Sequence, residues 1–209
     1  LELFRQHSRE ELKENIRFAA FALQESIDGF ENENLKELRK VMNDLEEKKV
    51  HLNQVRRVGT LGITQLDRAI AIEKGLYYYQ GNDFASEIIF SIRRLVEPCK
   101  QHIDNNFKPL DEIQRKDYGE VEAQIIAYLE NISSQIEKND YLGMSTTVEE
   151  SARLQSELTR LKKEELKRIQ GQSGSTKVSM VYLNILQETT NVVNFSCNLI
   201  KVSKKFQKE

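Results

Sequence analysis

The stretch from Lys177 to Phe206 constrains the fold more than any other part of the chain, because apolar and small residues recur in it every three to four positions. That spacing places them along one side of a helix. The stripe consists of Val178, Tyr182, Ile185, Thr189, Val192, Ser196, Leu199, Ser203 and Phe206, widened by Val181, Leu186, Val193 and Ile200. A helix with so wide an apolar face has to pack against other helices, so the stretch predicts a helical assembly.

The composition favours an all-helical protein. The 209 residues include two prolines, nine glycines and no tryptophan, and 31% are charged, which is more typical of helical chains than of sandwiches or barrels. The formal net charge of −2 lacks the basic excess of a nucleic-acid binder. Tyr77, Tyr78 and Tyr79 could stack on bases, but no basic groove accompanies them in the sequence, so we interpret them as packing and interface residues.

Helix start and stop signals divide the first half into three helices. Ser8 and Glu11 have the spacing of a capping box and predict the start of the first helix, and Gly29 predicts its end. Residues 59–62, with a glycine at each end, predict the end of the second helix. A third helical pattern runs from Gln65 to about Asn105.

The second half repeats this organisation. A non-periodic segment, His102–Leu110, separates the two halves. Helical patterns then follow over residues 121–136, 148–169 and 177–206. Two helices followed by a longer one therefore occur twice, which indicates an internal duplication. We predict an all-α fold of two antiparallel three-helix bundles, residues 1–107 and 108–209.

The cysteines and the hydropathy indicate the cellular environment of the chain. Cys99 and Cys197 lie on apolar helix faces without CxxC spacing, so we predict buried free thiols in a reducing compartment rather than a metal site or a catalytic pair. No apolar run approaches the ~20 residues that a membrane-spanning helix needs. Because the sequence opens on Leu1 rather than on Met, we expect it to be part of a longer protein.

No catalytic motif is recognisable in the sequence. The three histidines, His7, His51 and His102, fall in different predicted elements. HExxH, GxSxG, Walker A and GxGxxG motifs do not occur in the sequence. A Ser-His-Asp or Cys-His set would also need pocket walls built from loops, which this helical pattern does not supply. We therefore predict that the chain is not an enzyme.

Carboxylates at helical spacing are candidate metal ligands. Asp83 and Glu87 are four residues apart on the third predicted helix, and Glu188 lies on the sixth. A divalent metal is one interpretation of these residues, and ordinary surface charge or hydrogen bonding between helices is the other. The Glu-x-x-His pattern of di-iron bundles does not occur in the sequence, so we predict no cofactor.

Amide and lysine side chains of the last predicted helix are candidate partner contacts. The amides stand where charged residues are usual on a solvated helix face, and the lysines cluster at the helix end. The lysines could complement the helix dipole, or they could face an anionic membrane surface or a partner. The candidate contact residues are Asn184, Asn191, Asn194, Lys201, Lys204 and Lys205.

Two segments resemble a known family. One is Val96–Gln114, VEPCKQHIDNNFKPLDEIQ, and the other is the predicted helix Tyr182–Phe206. Both resemble the PhoU-like cytosolic domain that is attached to bacterial permeases of the inorganic phosphate transporter (PiT) family. Tyr77–Gln80 and the LKRIQ run at residues 166–170 add to the resemblance, which extends over about residues 35–206.

The resemblance implies a non-catalytic regulatory domain built from two three-helix bundles, held at the cytoplasmic face of the cell membrane as part of a phosphate permease. The implied partners are the transmembrane portion of that permease and a second copy in a homodimer, with no nucleic acid. PhoU proteins also bind metal clusters through E/D-xxx-D motifs, but Asn191, Val192 and Asn194 stand here where a carboxylate would follow Glu188. A metal cluster is therefore not expected. The alternative function is a free-standing helical scaffold or adaptor without a transport role.

Overall fold

The chain forms six helices in a computed structural model that describes residues 1–208. Within each half, two shorter helices precede a longer one, and no strand occurs within the described range. The helices are α1 (Glu2–Glu31), α2 (Leu35–Thr64), α3 (Arg68–Asp104), α4 (Glu112–Glu137), α5 (Met144–Gln170) and α6 (Thr176–Lys208). The predicted all-α fold is confirmed, including the long last helix. Over residues 1–208, no helix combines the length and the apolar composition that crossing a membrane requires.

The buried side of α6 coincides with the predicted stripe. All nine residues of the stripe are buried, and three of the four that widen it are buried as well. The two cysteines are buried free thiols, as predicted. Burial raises the pKa of the Cys99 thiol well above its ordinary value, so that thiol stays protonated at neutral pH.

The first helix begins seven residues earlier than the capping-box spacing predicts. Ser8 is buried inside α1 and does not cap it, so that prediction is wrong. Tertiary contacts hold the extra turns, because the Phe4 ring lies 4.8 Å from the Tyr78 ring and 5.8 Å from the Phe206 ring. The Arg5 Nε also donates a hydrogen bond of 2.9 Å to the carbonyl oxygen of Phe206. Packing against two other helices thus outweighs the local start signal.

Three glycines that were expected at helix ends lie inside helices. The first helix passes through Gly29 and ends at Glu31, and α2 passes through Gly59 and Gly62 and ends at Thr64. A Cβ atom at Gly29 would lie 3.2 Å from Leu38 Cδ2, and one at Gly62 would lie 3.0 Å from Phe4 Cε2. These glycines therefore allow side chains of neighbouring helices to approach closely.

A single cluster of buried apolar side chains runs through all six helices. The helices of each half pack on one another, and α3 also packs along α6 while α1 packs along α4. The boundary predicted between residues 107 and 108 falls in the connection between α3 and α4. The division into two separate bundles stays a prediction, because contacts between the halves are as extensive as those within them.

The connection between α3 and α4 contains much of the Val96–Gln114 segment. The buried His102 Nε2 hydrogen-bonds the carbonyl oxygen of Lys108, and its ring packs against Phe30 and Phe107. Asn106 adopts a φ of 62°, a left-handed conformation that asparagine tolerates better than most residues. The histidine and the asparagine of this segment therefore stabilise the turn that ends the first half.

Candidate functional site

A polar cluster lies between α3 and α6, where the sequence predicted both metal ligands and partner contacts. We define the α3–α6 polar cluster as Arg94, Asn184, Glu188 and Asn191. The Arg94 Nε donates to both carboxylate oxygens of the buried Glu188, at 3.2 Å each. The Asn191 Nδ2 donates to Glu188 Oε2 at 3.2 Å, and the Asn184 Nδ2 donates to the Arg94 carbonyl oxygen at 2.9 Å. A buried carboxylate is thereby paired and hydrogen-bonded.

Helical spacing explains why these side chains meet. Asn184, Glu188 and Asn191 follow one another at intervals of four and three residues, so they share one face of α6. Gln187 continues the network, because its Nε2 donates to Asn191 Oδ1 at 3.1 Å and its Oε1 accepts from the Lys162 Nζ of α5 at 2.9 Å. The amides of this face thus connect three helices of the same chain. Asn194, in contrast, is exposed and lies outside the cluster.

The three candidate metal ligands do not form one site. Asp83 is exposed and forms an ion pair with Arg56 of α2, whereas Glu188 pairs with Arg94. Asp83 precedes Arg94 by 11 residues, which is about 16 Å along a helix axis, and Glu87 lies between them. Within residues 1–208, no group of three or more His, Cys, Asp or Glu side chains is placed to hold a metal ion.

A buried carboxyl that the sequence pattern did not identify lies between α1 and α4. Glu122 is 9% exposed, and none of the ion pairs of residues 1–208 includes it. Burial, together with the negative charges of Asp28 and Glu31 on α1, raises the pKa of Glu122 to about 8. Glu31 itself accepts a hydrogen bond of 3.1 Å from the Arg115 Nε. Glu122 shares the helical register of Ile125 and the buried residues after it, and a charged residue in an apolar stripe is the signal that was missed.

A second buried polar network joins α4, α5 and α6. Glu165 of α5 is 2% exposed, and its Oε1 accepts from Gln114 Nε2 at 2.9 Å and from Ser179 Oγ at 2.7 Å. The Arg168 Nη1 donates to Glu165 Oε2 at 3.0 Å, and Arg168 also pairs with Asp111, the N-cap of α4. Because every member has partners, we assign this network to the fold rather than to a binding site.

The three candidate lysines lie at the end of α6, beside the start of α1 and the turn between α2 and α3. Lys201 and Lys205 are exposed, and the Lys205 Nζ lies 5.5 Å from the centre of the Tyr77 ring. Two other cations bind the last carbonyl groups of α6: the Lys74 Nζ donates to the Lys205 oxygen at 3.2 Å, and Arg5 donates to the Phe206 oxygen. Cations from neighbouring helices thus complement the helix dipole, and the side chains of Lys201 and Lys205 face solvent.

Comparisons with known proteins identify the fold. No protein-family model matches the chain, and no curated protein matches it in sequence. The structure matches the crystal structure of the phosphate transport system regulatory protein PhoU from Streptococcus pneumoniae with a TM-score of 0.72 and 11% sequence identity. The match covers 99% of this chain and 96% of that chain. The predicted PhoU-like fold is therefore confirmed, and at this identity the likeness establishes the fold alone.

Proposed function

We propose that this chain regulates phosphate transport through protein contacts and catalyses no reaction. The observation that carries the proposal is the likeness over nearly the whole length of both chains to a phosphate transport system regulatory protein. The sequence resemblance of residues 96–114 and 182–206 to a PhoU-like domain supports the same role from the residues themselves. Fold and function are separate inferences, so the regulatory role needs its own test.

The more specific part of the proposal is that the chain is the cytosolic domain of an inorganic phosphate permease. Its partner is then the transmembrane portion of that permease, and the domain lies at the cytoplasmic face of the cell membrane. The exposed side chains of Asn194, Lys201 and Lys205 support this role, because they are available for contacts outside the chain. Asn184 and Asn191 already form hydrogen bonds within the chain, so we assign them a smaller share of the contact with the permease.

Deletion of the chain from its natural gene tests the proposal. Uptake of labelled phosphate is measured in cells grown with abundant and with scarce phosphate, with and without the segment that encodes residues 1–209. We expect the deletion to abolish the dependence of uptake on phosphate supply, and we expect the segment supplied on a second gene to restore it. Uptake that responds to phosphate supply equally in both strains would contradict the proposal and would favour the scaffold or adaptor role.

A further inference from the structure

We propose that one end of the helical assembly docks on an anionic lipid surface. This docking end consists of residues 1–9, residues 56–77 around the turn between α2 and α3, and residues 199–208 at the end of α6. The inference goes beyond the proposed regulatory function and does not rest on it. It rests on where exposed apolar side chains and basic side chains lie in the fold.

The three segments form one continuous end of the molecule. The Phe4 ring contacts both Tyr78 and Phe206, and thus connects the beginnings of α1 and α3 to the end of α6. The Lys74 Nζ bonds the Lys205 carbonyl oxygen, and Phe4 lies against Gly62 of α2. These contacts come from all three segments, so the side chains around them share one surface.

Large apolar side chains are exposed on this end. Leu61 is 65% exposed and Ile72 is 70% exposed. A groove of about 640 Å³ opens between α1 and α2, with Leu3, Phe4, Val58 and Leu66 in its wall. The exposed apolar residues of the docking end are Leu1, Leu3, Val58, Leu61, Ile72 and Leu76. Clustered exposed apolar side chains of this kind mark surfaces that bind something.

The charge of the docking end indicates what it binds. Its three segments contain ten Lys and Arg residues against three Asp and Glu residues, although the whole chain has a net charge of −2. The opposite end of α1 and α2, residues 25–40, is acidic by comparison: it contains five Asp and Glu residues against three Lys and Arg residues. An anionic surface therefore attracts the docking end more strongly than this acidic end.

Apolar side chains interspersed with lysine and arginine fit a lipid surface. In such a contact the apolar side chains enter the boundary between headgroups and acyl chains, and the cations stay beside the phosphates. Arg57, Arg68, Lys201, Lys205 and Lys208 are exposed around the apolar residues. The apolar residues belong to three helix ends rather than to one long groove, which favours a planar surface over a single bound helix.

Sedimentation with lipid vesicles tests the proposal on the 209-residue chain. One vesicle preparation is phosphatidylcholine alone, and the other is an equal mixture of phosphatidylcholine and phosphatidylglycerol. We expect the chain to sediment with the mixed vesicles only and to be released as the salt concentration rises. Equal binding to both preparations, or binding to neither at low salt, would overturn the proposal. Because the vesicles contain no protein, that result would leave the proposed transport role standing.

Charge-matched variants locate the binding surface. Arg57→Gln, Lys201→Gln and Lys205→Gln together are expected to weaken vesicle binding roughly 100-fold, since each basic residue near an anionic surface contributes about fivefold. The control is Lys36→Gln, Arg39→Gln and Lys40→Gln, which removes three exposed cations from the acidic end. The control is expected to bind as the natural chain does, and an equal loss in both variants would contradict the assignment of the surface.

The apolar contribution has its own variants. Leu61→Gln with Ile72→Gln is expected to weaken vesicle binding by about tenfold or more, because burying each apolar side chain is favourable. Ile113→Gln with Leu166→Gln, exposed at the other end of the assembly, is the control and is expected to retain binding. All variants should keep the circular dichroism and thermal midpoint of the natural chain, because the substituted side chains are exposed. A different outcome is that the natural chain binds no vesicles and forms a homodimer that Leu61→Gln with Ile72→Gln dissociates. That result would assign the docking end to self-association and would overturn the proposal.

Discussion

At the scale of single residues, Glu122 makes stability depend on pH. Its pKa of about 8 in the folded chain lies above its ordinary value of 4.5, so between those pH values the folded chain binds a proton that the unfolded chain has released. The free energy of unfolding therefore falls as the pH rises from about 4.5 to about 8, on the order of 1.4 kcal/mol for each pH unit at most. Below pH 4.5 Glu122 is protonated in the folded and in the unfolded chain, and its contribution to the free energy of unfolding is at its maximum.

Replacement of this carboxyl by an amide tests the prediction. Glu122→Gln is expected to flatten the fall in stability between pH 5 and pH 8, and to raise stability at pH 8 by about 1–3 kcal/mol, because the amide carries no charge to bury. Urea unfolding at several pH values measures both effects. Glu120→Gln, on the exposed side of the same helix, is the control. The same pH profile for Glu122→Gln and the natural chain would show that Glu122 is not the group that titrates.

At Gly59, the absence of a Cβ atom determines the local packing. A Cβ atom there would overlap the ring and hydroxyl of Tyr78, whose Oη donates to the Val55 carbonyl oxygen at 3.2 Å. We expect Gly59→Ala to destabilise the chain by about 1–3 kcal/mol through overpacking. In a Tyr78→Ala background the same change should stabilise by up to about 1 kcal/mol, since alanine favours a helix over glycine.

The matched control for Gly59 is Gly119, which lies inside α4 with no atom of another residue near its missing Cβ. Gly119→Ala should stabilise the chain by about 1 kcal/mol at most. Thermal unfolding distinguishes the two glycines. If Gly59→Ala unfolded at the same temperature as Gly119→Ala, the close contact with Tyr78 would be refuted.

At the scale of helices, Arg168 holds the buried junction of α4, α5 and α6. Arg168→Ala leaves the carboxylate of Glu165, 2% exposed, with only the neutral donors Gln114 and Ser179. We expect the free energy of unfolding, measured with urea, to fall by about 2–4 kcal/mol, since breaking a buried ion pair leaves an uncompensated charge. Glu165→Gln in the same background should restore part of it by removing that charge.

Arg160 provides the comparison for Arg168 on the same helix. It forms ion pairs with Glu157 and Glu164 on the exposed side of α5. Exposed pairs of this kind contribute about 1 kcal/mol or less, so Arg160→Ala should change stability much less than Arg168→Ala. Similar losses of stability in Arg160→Ala and Arg168→Ala would contradict the prediction, because they would show that the burial of Glu165 does not determine the loss.

Periodicity is a better predictor of which segments form helices than of where those helices end or which residues they contact. The stripe of α6 follows from spacing alone, because every residue on it is buried. The start of α1 does not, because the contact of Phe4 with Tyr78 joins positions that are distant in sequence. Likewise, the hydrogen bond from Asn184 to the Arg94 carbonyl group depends on how α6 is aligned along α3. A pattern within one helix contains no information on that alignment.

At the scale of the whole molecule, the shared core makes each half depend on the other. The buried stripe of α6 packs along α3, so a chain that ends at residue 107 would expose the side of α3 that now faces α6. If one half of the full chain unfolded, the other half would expose a large apolar surface to water. The free-energy cost of that exposure is proportional to the exposed area. We therefore expect the two halves to unfold together.

Two measurements check this cooperation. Urea unfolding of the full chain, followed by circular dichroism and by tyrosine fluorescence, should give one coincident transition. A fragment of residues 1–107 should have less helix than its three helices contribute in the full chain, and it should aggregate or unfold without a cooperative transition. Mixing it with a fragment of residues 108–209 should restore helix content, because the interface between α3 and α6 can then form. A fragment 1–107 that unfolds cooperatively by itself, with its full helix content, would instead establish the two predicted bundles as independent domains.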